Sequence, residues 1–153
     1  MTKPMCHEIS GNDAVLIFDD SVEEKKYTDS SDLIEWHFDH TVGRSVKGVN
    51  FLTALYHNND MSLPIGVEYV KKDRRAINKK GKLIRISSVT KNELFRNMLK
   101  QACYNIHFKY VLADSWFSSA ANMNFVKQTC NNDFIFALKD NRKVALIPSL
   151  NIK

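Results

Sequence analysis

The sequence predicts a mixed α/β domain built on a five-stranded sheet with flanking helices. Three observations predict it. Ala14–Phe18 is an uninterrupted apolar run that stops at Asp19 and Asp20. Tyr110–Ala113 is a second short apolar run that stops at Asp114, and Ser-Trp-Phe-Ser-Ser then looks like a helix start. Between them, Thr90-Lys-Asn-Glu93 is a capping box that opens a stretch with apolar residues at helical spacing.

The bounds agree with one domain. The chain has 153 residues, 44% of them hydrophobic, enough for a packed core. Lys plus Arg number 22 against 17 Asp plus Glu, a net charge of +5. That bias suits a polyanionic partner without demanding one. Cys6, Cys103 and Cys130 show no Cys-x-x-Cys spacing, so neither a zinc site nor a disulfide framework is indicated. Reduced thiols are the default reading. No secretory leader and no membrane-length apolar run is seen, so a cytoplasmic, nucleoid-associated address is expected.

Residues 1–13 read as a polar tail. Val15, Leu16, Ile17 and Phe18 favour a strand buried on both faces, with Asp19 and Asp20 at its mouth. An unpaired buried carboxylate is costly, so the pair either faces water or holds a cation. Val22–Asp32 is charged loop or strand margin. Leu33–His40 alternates imperfectly; His37, Asp39 and His40 lack a further ligand at metal-site spacing. Gly43–Gly48 reads as a glycine-bounded basic loop without the Gly-Lys-Ser/Thr ending of a phosphate loop. Its Arg44 and Lys47 fit either a DNA backbone or a solvated turn.

Val49–Tyr56 and Leu63–Val70 form a hairpin around the turn His57-Asn-Asn-Asp60, with Pro64 placing the second strand at the sheet margin. Lys71–Arg85 is the most basic stretch. Its Lys71, Lys72, Arg74, Arg75, Lys79, Lys80 and Lys82 fit a phosphate-lined groove or a solvated loop equally well. The helix after Thr90 carries Leu94, Met98, Leu99, Ala102 and Ile106 in one stripe and ends near Tyr104–Asn105. A second helix is expected over Ser118–Thr129 with Ser118 as N-cap, and a third buried strand over Phe134–Leu138. Trp116 is expected in the core, with stacking on a base as the alternative.

Three strands joined by hairpin-like connections, followed by helical crossovers to parallel strands, is the ribonuclease-H-like layout. Its expected spatial order is 3-2-1-4-5, which sets the first and fourth strands side by side. Asp20 and Asp114 then emerge at one carboxyl edge, where open α/β sheets place their sites.

The residues themselves resemble the bacterial insertion-sequence transposases of the DDE class. The likeness rests on Ile-Phe-Asp-Asp-Ser, Trp-His-Phe-Asp-His-Thr-Val-Gly-Arg-Ser-Val-Lys-Gly-Val-Asn, Val-Leu-Ala-Asp-Ser-Trp-Phe-Ser-Ser and Phe-Ile-Phe-Ala-Leu-Lys-Asp-Asn-Arg-Lys-Val-Ala. It covers residues 14–147. The resemblance implies a divalent-metal enzyme, with Mg²⁺ or Mn²⁺ held by Asp20 and Asp114, that nicks double-stranded DNA at transposon ends and joins the freed 3′-hydroxyl to target DNA. A homodimer is implied for the intact family. Alternation sends Asp19 and Asp20 to opposite faces, so only one joins the site. Choosing Asp20 rests on the resemblance alone; Asp19 is the alternative.

The pattern also calls for a glutamate on a helix after the last core strand, in a Tyr-x-x-Arg-x-x-x-Glu motif that this sequence lacks. The expectation is therefore a truncated catalytic domain, ending in residues 148–153 and inactive alone. The alternatives are a non-catalytic DNA-binding or interfering module, and another ribonuclease-H-like nuclease drawing its third carboxylate from Glu23, Glu24 or Asp140.

Overall fold

The computed structural model describes residues 11–142. The N-terminal tail up to residue 10, Cys6 included, and everything from residue 143 onward lie outside the described residues.

The strands run β1 (Val15–Glu24), β2 (Ile34–Asp39), β3 (Arg44–Asn58), β4 (Met61–Tyr69), β5 (Arg74–Ile77) and β6 (Leu83–Ile86). After them come helix α1 (Lys91–Asn105), strand β7 (Tyr110–Ala113), helix α2 (Ala120–Gln128) and strand β8 (Asp133–Phe136). The expected order is found: β4, β3, β1, β7, β8, with β1 and β7 parallel and adjacent. The mixed α/β architecture is compatible with a ribonuclease-H-like fold.

Three local expectations are corrected. The main sheet has six strands, not five, because β2 joins β3 as well. β3 is long enough to serve two partners: its first part, Arg44–Val49, pairs with β2, and Phe51–Asn58 pairs with β4. The basic loop expected over Gly43–Gly48 is therefore mostly strand. Only Gly43 is turn, at φ +66°, and the alternation from Val46 onward decides the strand. The basic stretch Lys71–Arg85 is neither groove lining alone nor open loop. It folds into a separate hairpin, β5 against β6, closed by Asn78, whose side chain accepts from the Lys80 and Lys82 backbone N–H groups.

The core lies on one face of the sheet. Leu16, Phe18, Leu52, Ala54, Tyr56 and Val111 meet Phe95, Leu99 and Ala102 of α1 and Val126 of α2. Phe95 is its pivot, edge-on to Phe18 at 4.6 Å and stacked on Phe117 at 5.2 Å between centroids. Both helices cover this face. On the other face, Val15, Ile17, Leu55 and Leu112 are half-buried and Ile135 is exposed, so β1 is fully buried on one side rather than two.

The capping box is present as expected. Thr90 accepts from the Glu93 N–H, and the Glu93 carboxylate accepts from the Thr90 N–H and hydroxyl. The second helix is capped by Ser119, one residue later than expected, because Ser118 is buried and donates its hydroxyl to the Ser115 carbonyl. Cys103 and Cys130 form no disulfide. Among the described residues no helix is long and apolar enough to cross a membrane.

Candidate active site

The carboxyl ends of β1 and β7 build the site. Their parallel register runs from Val15 opposite Tyr110 to Phe18 opposite Ala113. One step further along both chains stand Asp19 and Asp114. Register partners in a sheet share a face, so these two continue the face of Ile17 and Leu112, away from the helices. Both line a cleft of about 410 Å³, together with Asp20, Ser21, Val22, Phe38, Asp39, His40 and Thr41.

Asp20 takes the opposite direction. It lies on the helix side with Phe18, and its carboxylate forms an ion pair with Lys91 at the start of α1. Both side chains are mostly buried, at 12% and 17% exposure. Lys91 carries no sequence signal for this role, since it lies inside the capping box and its reach to β1 follows only from the way α1 crosses the sheet.

Partial burial, then the charge of Asp20, and then that of Asp114 hold the Asp19 carboxyl above its ordinary range. One backbone contact is also fixed there, the Thr53 hydroxyl donating to the Asp19 carbonyl at 3.2 Å. Asp114 uses one oxygen to accept from the Trp116 N–H at 2.9 Å, which folds the chain back after β7.

The other expected acids lie apart. Glu23 pairs with Lys25 at 3.1 Å, and Glu24 pairs with Lys26 and Arg44. Asp39 accepts from the Thr41 and Val42 N–H groups in a turn. Asp140 lines an adjoining cleft with Asp114 and Trp116. Among the described residues no group of three or more His, Cys, Asp or Glu side chains is placed to hold a metal ion.

The basic residues divide. Arg44 is occupied with Glu24, and Lys47 is half-buried in β3 opposite Trp36. Lys72 donates to the Trp36 carbonyl, and its burial lowers its pKa. Lys72, Arg75 and Lys82 gather with Trp36, Leu83 and Arg85 around a cleft of about 550 Å³ between the β5–β6 hairpin and β2. Lys71, Arg74, Lys79 and Lys80 are exposed on the hairpin and its approach. The hairpin leaves the sheet just past Tyr69, at the level of Phe51, whose β1 partner is Ser21. The basic arm and the carboxylates therefore share one edge. Trp116, expected in the core, is 39% exposed at that edge.

The family model described as DDE superfamily endonuclease matches residues 1–149. No curated protein and no solved structure matches the chain.

Proposed function

The chain belongs to the DDE superfamily endonuclease family, and from that membership we propose that Asp19 and Asp114 form the acidic pair of a metal-dependent DNA strand cleavage and transfer site of the insertion-sequence type. Membership carries nuclease or transposase chemistry on DNA. The observation that supports this pair is their shared register at the carboxyl edge of adjacent parallel strands. Asp20, favoured by the sequence resemblance, borders the same cleft, and its carboxylate is engaged by Lys91.

The residues fit a hard divalent cation. Mg²⁺ is held by one or two carboxylates plus substrate phosphate. Partial burial, joined by the charges of Asp20 and Asp114, raises the Asp19 carboxyl, and a bound cation would oppose that shift. A bound ion of this kind supplies charge neutralisation at the phosphate and a more acidic attacking hydroxyl. The chain's own work is to fix the two carboxylates on rigid strand ends and to bring the DNA backbone to them. We assign that second task to the β5–β6 arm, with Arg74, Arg75, Lys79, Lys80 and Lys82 on the phosphates. Hydrolysis forms a bond from water oxygen to phosphorus and breaks the bond to the 3′ oxygen, which leaves as a hydroxyl. Transfer repeats the displacement with that hydroxyl as nucleophile.

Terbium luminescence tests the pair without requiring turnover, since the Trp116 indole beside Asp114 can sensitise a bound ion. Emission that Mg²⁺ competes away is expected in the native chain and in Asp20→Asn, and its loss in Asp19→Asn and Asp114→Asn. Loss in Asp20→Asn with retention in Asp19→Asn would transfer the role to Asp20. Mg²⁺-dependent nicking of duplex DNA by the same set gives the chemical readout.

A further inference from the structure

A second cleft adjoins the carboxylates. It encloses about 380 Å³ and is lined by His40, Asp114, Ser115, Trp116, Leu138, Lys139 and Asp140. It shares His40 and Asp114 with the acidic cleft, so the two are continuous. Its walls combine aromatic rings with one ammonium, Lys139, and two carboxylates, Asp114 and Asp140. The His40 imidazole stands 5.4 Å from the Trp116 ring, and the Lys139 ammonium lies 4.7 Å from the centroid of the same ring. Phe38 extends the row, 4.9 Å from His40.

None of this is what packing alone requires. Trp116 and Phe38 are large rings left 39% and 52% exposed, although the core beside them is closed by Phe95 and Phe117. The Trp116 backbone is tied to the Asp114 carboxylate, so the indole is carried on main chain anchored beside that side chain. Exposed aromatic faces flanked by lysines are how proteins hold unstacked bases in a sequence-tolerant way.

We propose that this cleft holds one unpaired nucleotide of the DNA strand whose phosphate lies at Asp19 and Asp114. The inference rests on the reading of those two residues as the cleavage site. The base stacks on the Trp116 indole beside His40, taking the place over the ring that Lys139 now occupies. Lys139 moves to the nucleotide's phosphate. Asp140 sets polarity: its carboxylate repels phosphate and accepts from an exocyclic amine, so adenine, cytosine and guanine are favoured over thymine. A paired base is held in its stack and cannot enter, so the cleft selects strand ends, bulges and distorted duplex.

The test uses the whole chain in metal-free buffer, where no cleavage occurs. The probes are duplexes carrying 2-aminopurine either in an unpaired bulge or in a base pair. The native chain is expected to quench the bulged probe and to bind it about tenfold more tightly than the paired one. Trp116→Ala is expected to abolish both the quench and the preference, Trp116→Phe to restore most of the preference, and Lys139→Ala to weaken binding of the bulged probe selectively. Equal affinity for both probes, or a preference that survives in Trp116→Ala, overturns the proposal. The terbium measurement above is independent: retained emission with no bulge preference removes the nucleotide cleft alone, and lost emission removes the cleavage reading on which it rests.

Discussion

Lys91, the first residue of α1, forms an ion pair with Asp20 at the end of β1. A cation at a helix N-terminus opposes the helix dipole, so Lys91 is placed there at a local cost that the carboxylate beneath it offsets. It also lies 5.6 Å from the Trp116 ring centroid, so the pair ties β1, α1 and the loop after β7 together.

The first prediction separates structure from chemistry at the Asp-Asp step. Asp20→Asn leaves the Lys91 ammonium mostly buried without its counter-charge, and about 2 kcal/mol of stability is expected to be lost. Asp19→Asn relieves a crowded carboxyl and is expected to leave stability unchanged or slightly raised. Urea unfolding of both variants checks this. A double-mutant cycle with Lys91→Met should return a favourable coupling for Asp20 and none for Asp19.

The second concerns acid. His37 is buried, its Nε2 has no hydrogen-bond partner, and its pKa is pushed down to about 4 from 6.5. Burial is the main cause, with the charges of Lys72 and Lys91 adding to it. Between those two pH values the unfolded chain binds a proton that the folded chain refuses. The stability due to neutral His37 is complete above pH 6.5 and is lost as pH falls through that window, by about 3 kcal/mol in all. His37→Leu should flatten this part of the pH profile of the unfolding free energy; an unchanged profile would sink the assignment.

A third prediction contrasts two glycines. A Cβ on Gly48 would lie 2.1 Å from the Glu23 carbonyl oxygen, a backbone atom held in the β1–β3 ladder. At Gly66 the nearest obstacle is the flexible Met98 methyl at 3.1 Å. Gly48→Ala is expected to cost about 3 kcal/mol, and Gly66→Ala less than about 1 kcal/mol. Thermal unfolding of the two variants side by side should show the gap.

Much of the fold was legible because its signals are local. The apolar runs at Ala14–Phe18 and Tyr110–Ala113, the capping box at Thr90 and the turn at Asn59–Asp60 each carry their own geometry, and chain topology left one strand order. What stayed hidden depends on distant partners. β2 alternates poorly because its outer face leaves Trp36 and Phe38 exposed, and the start of β3 resembles loop because Gly43 turns just before it and Gly48 lies within it, in a strand that β1 and β2 impose. Alternation states that Asp19 and Asp20 part, and only the placement of α1 says that Asp20 is the one that meets Lys91.

The last prediction concerns the joint between the helices. Asn122 is fully buried in α2, where a leucine would be the ordinary choice. Its amide donates to the Asn92 side chain at 2.8 Å and to the Phe117 carbonyl at 2.9 Å, and its oxygen accepts from Arg96 at 2.8 Å. Asn122→Leu would strand all three partners. Each unmade bond to a buried group costs about 1–3 kcal/mol, and the Arg96 guanidinium can turn to water, so a loss of about 3 kcal/mol is expected. Because Phe117 follows Trp116 directly, the loop after Asp114 should loosen with it. Hydrogen exchange should then rise at Trp116 and Phe117 before it rises in β1, and uniform exchange across both would mean that Asn122 stabilises the fold without positioning the edge.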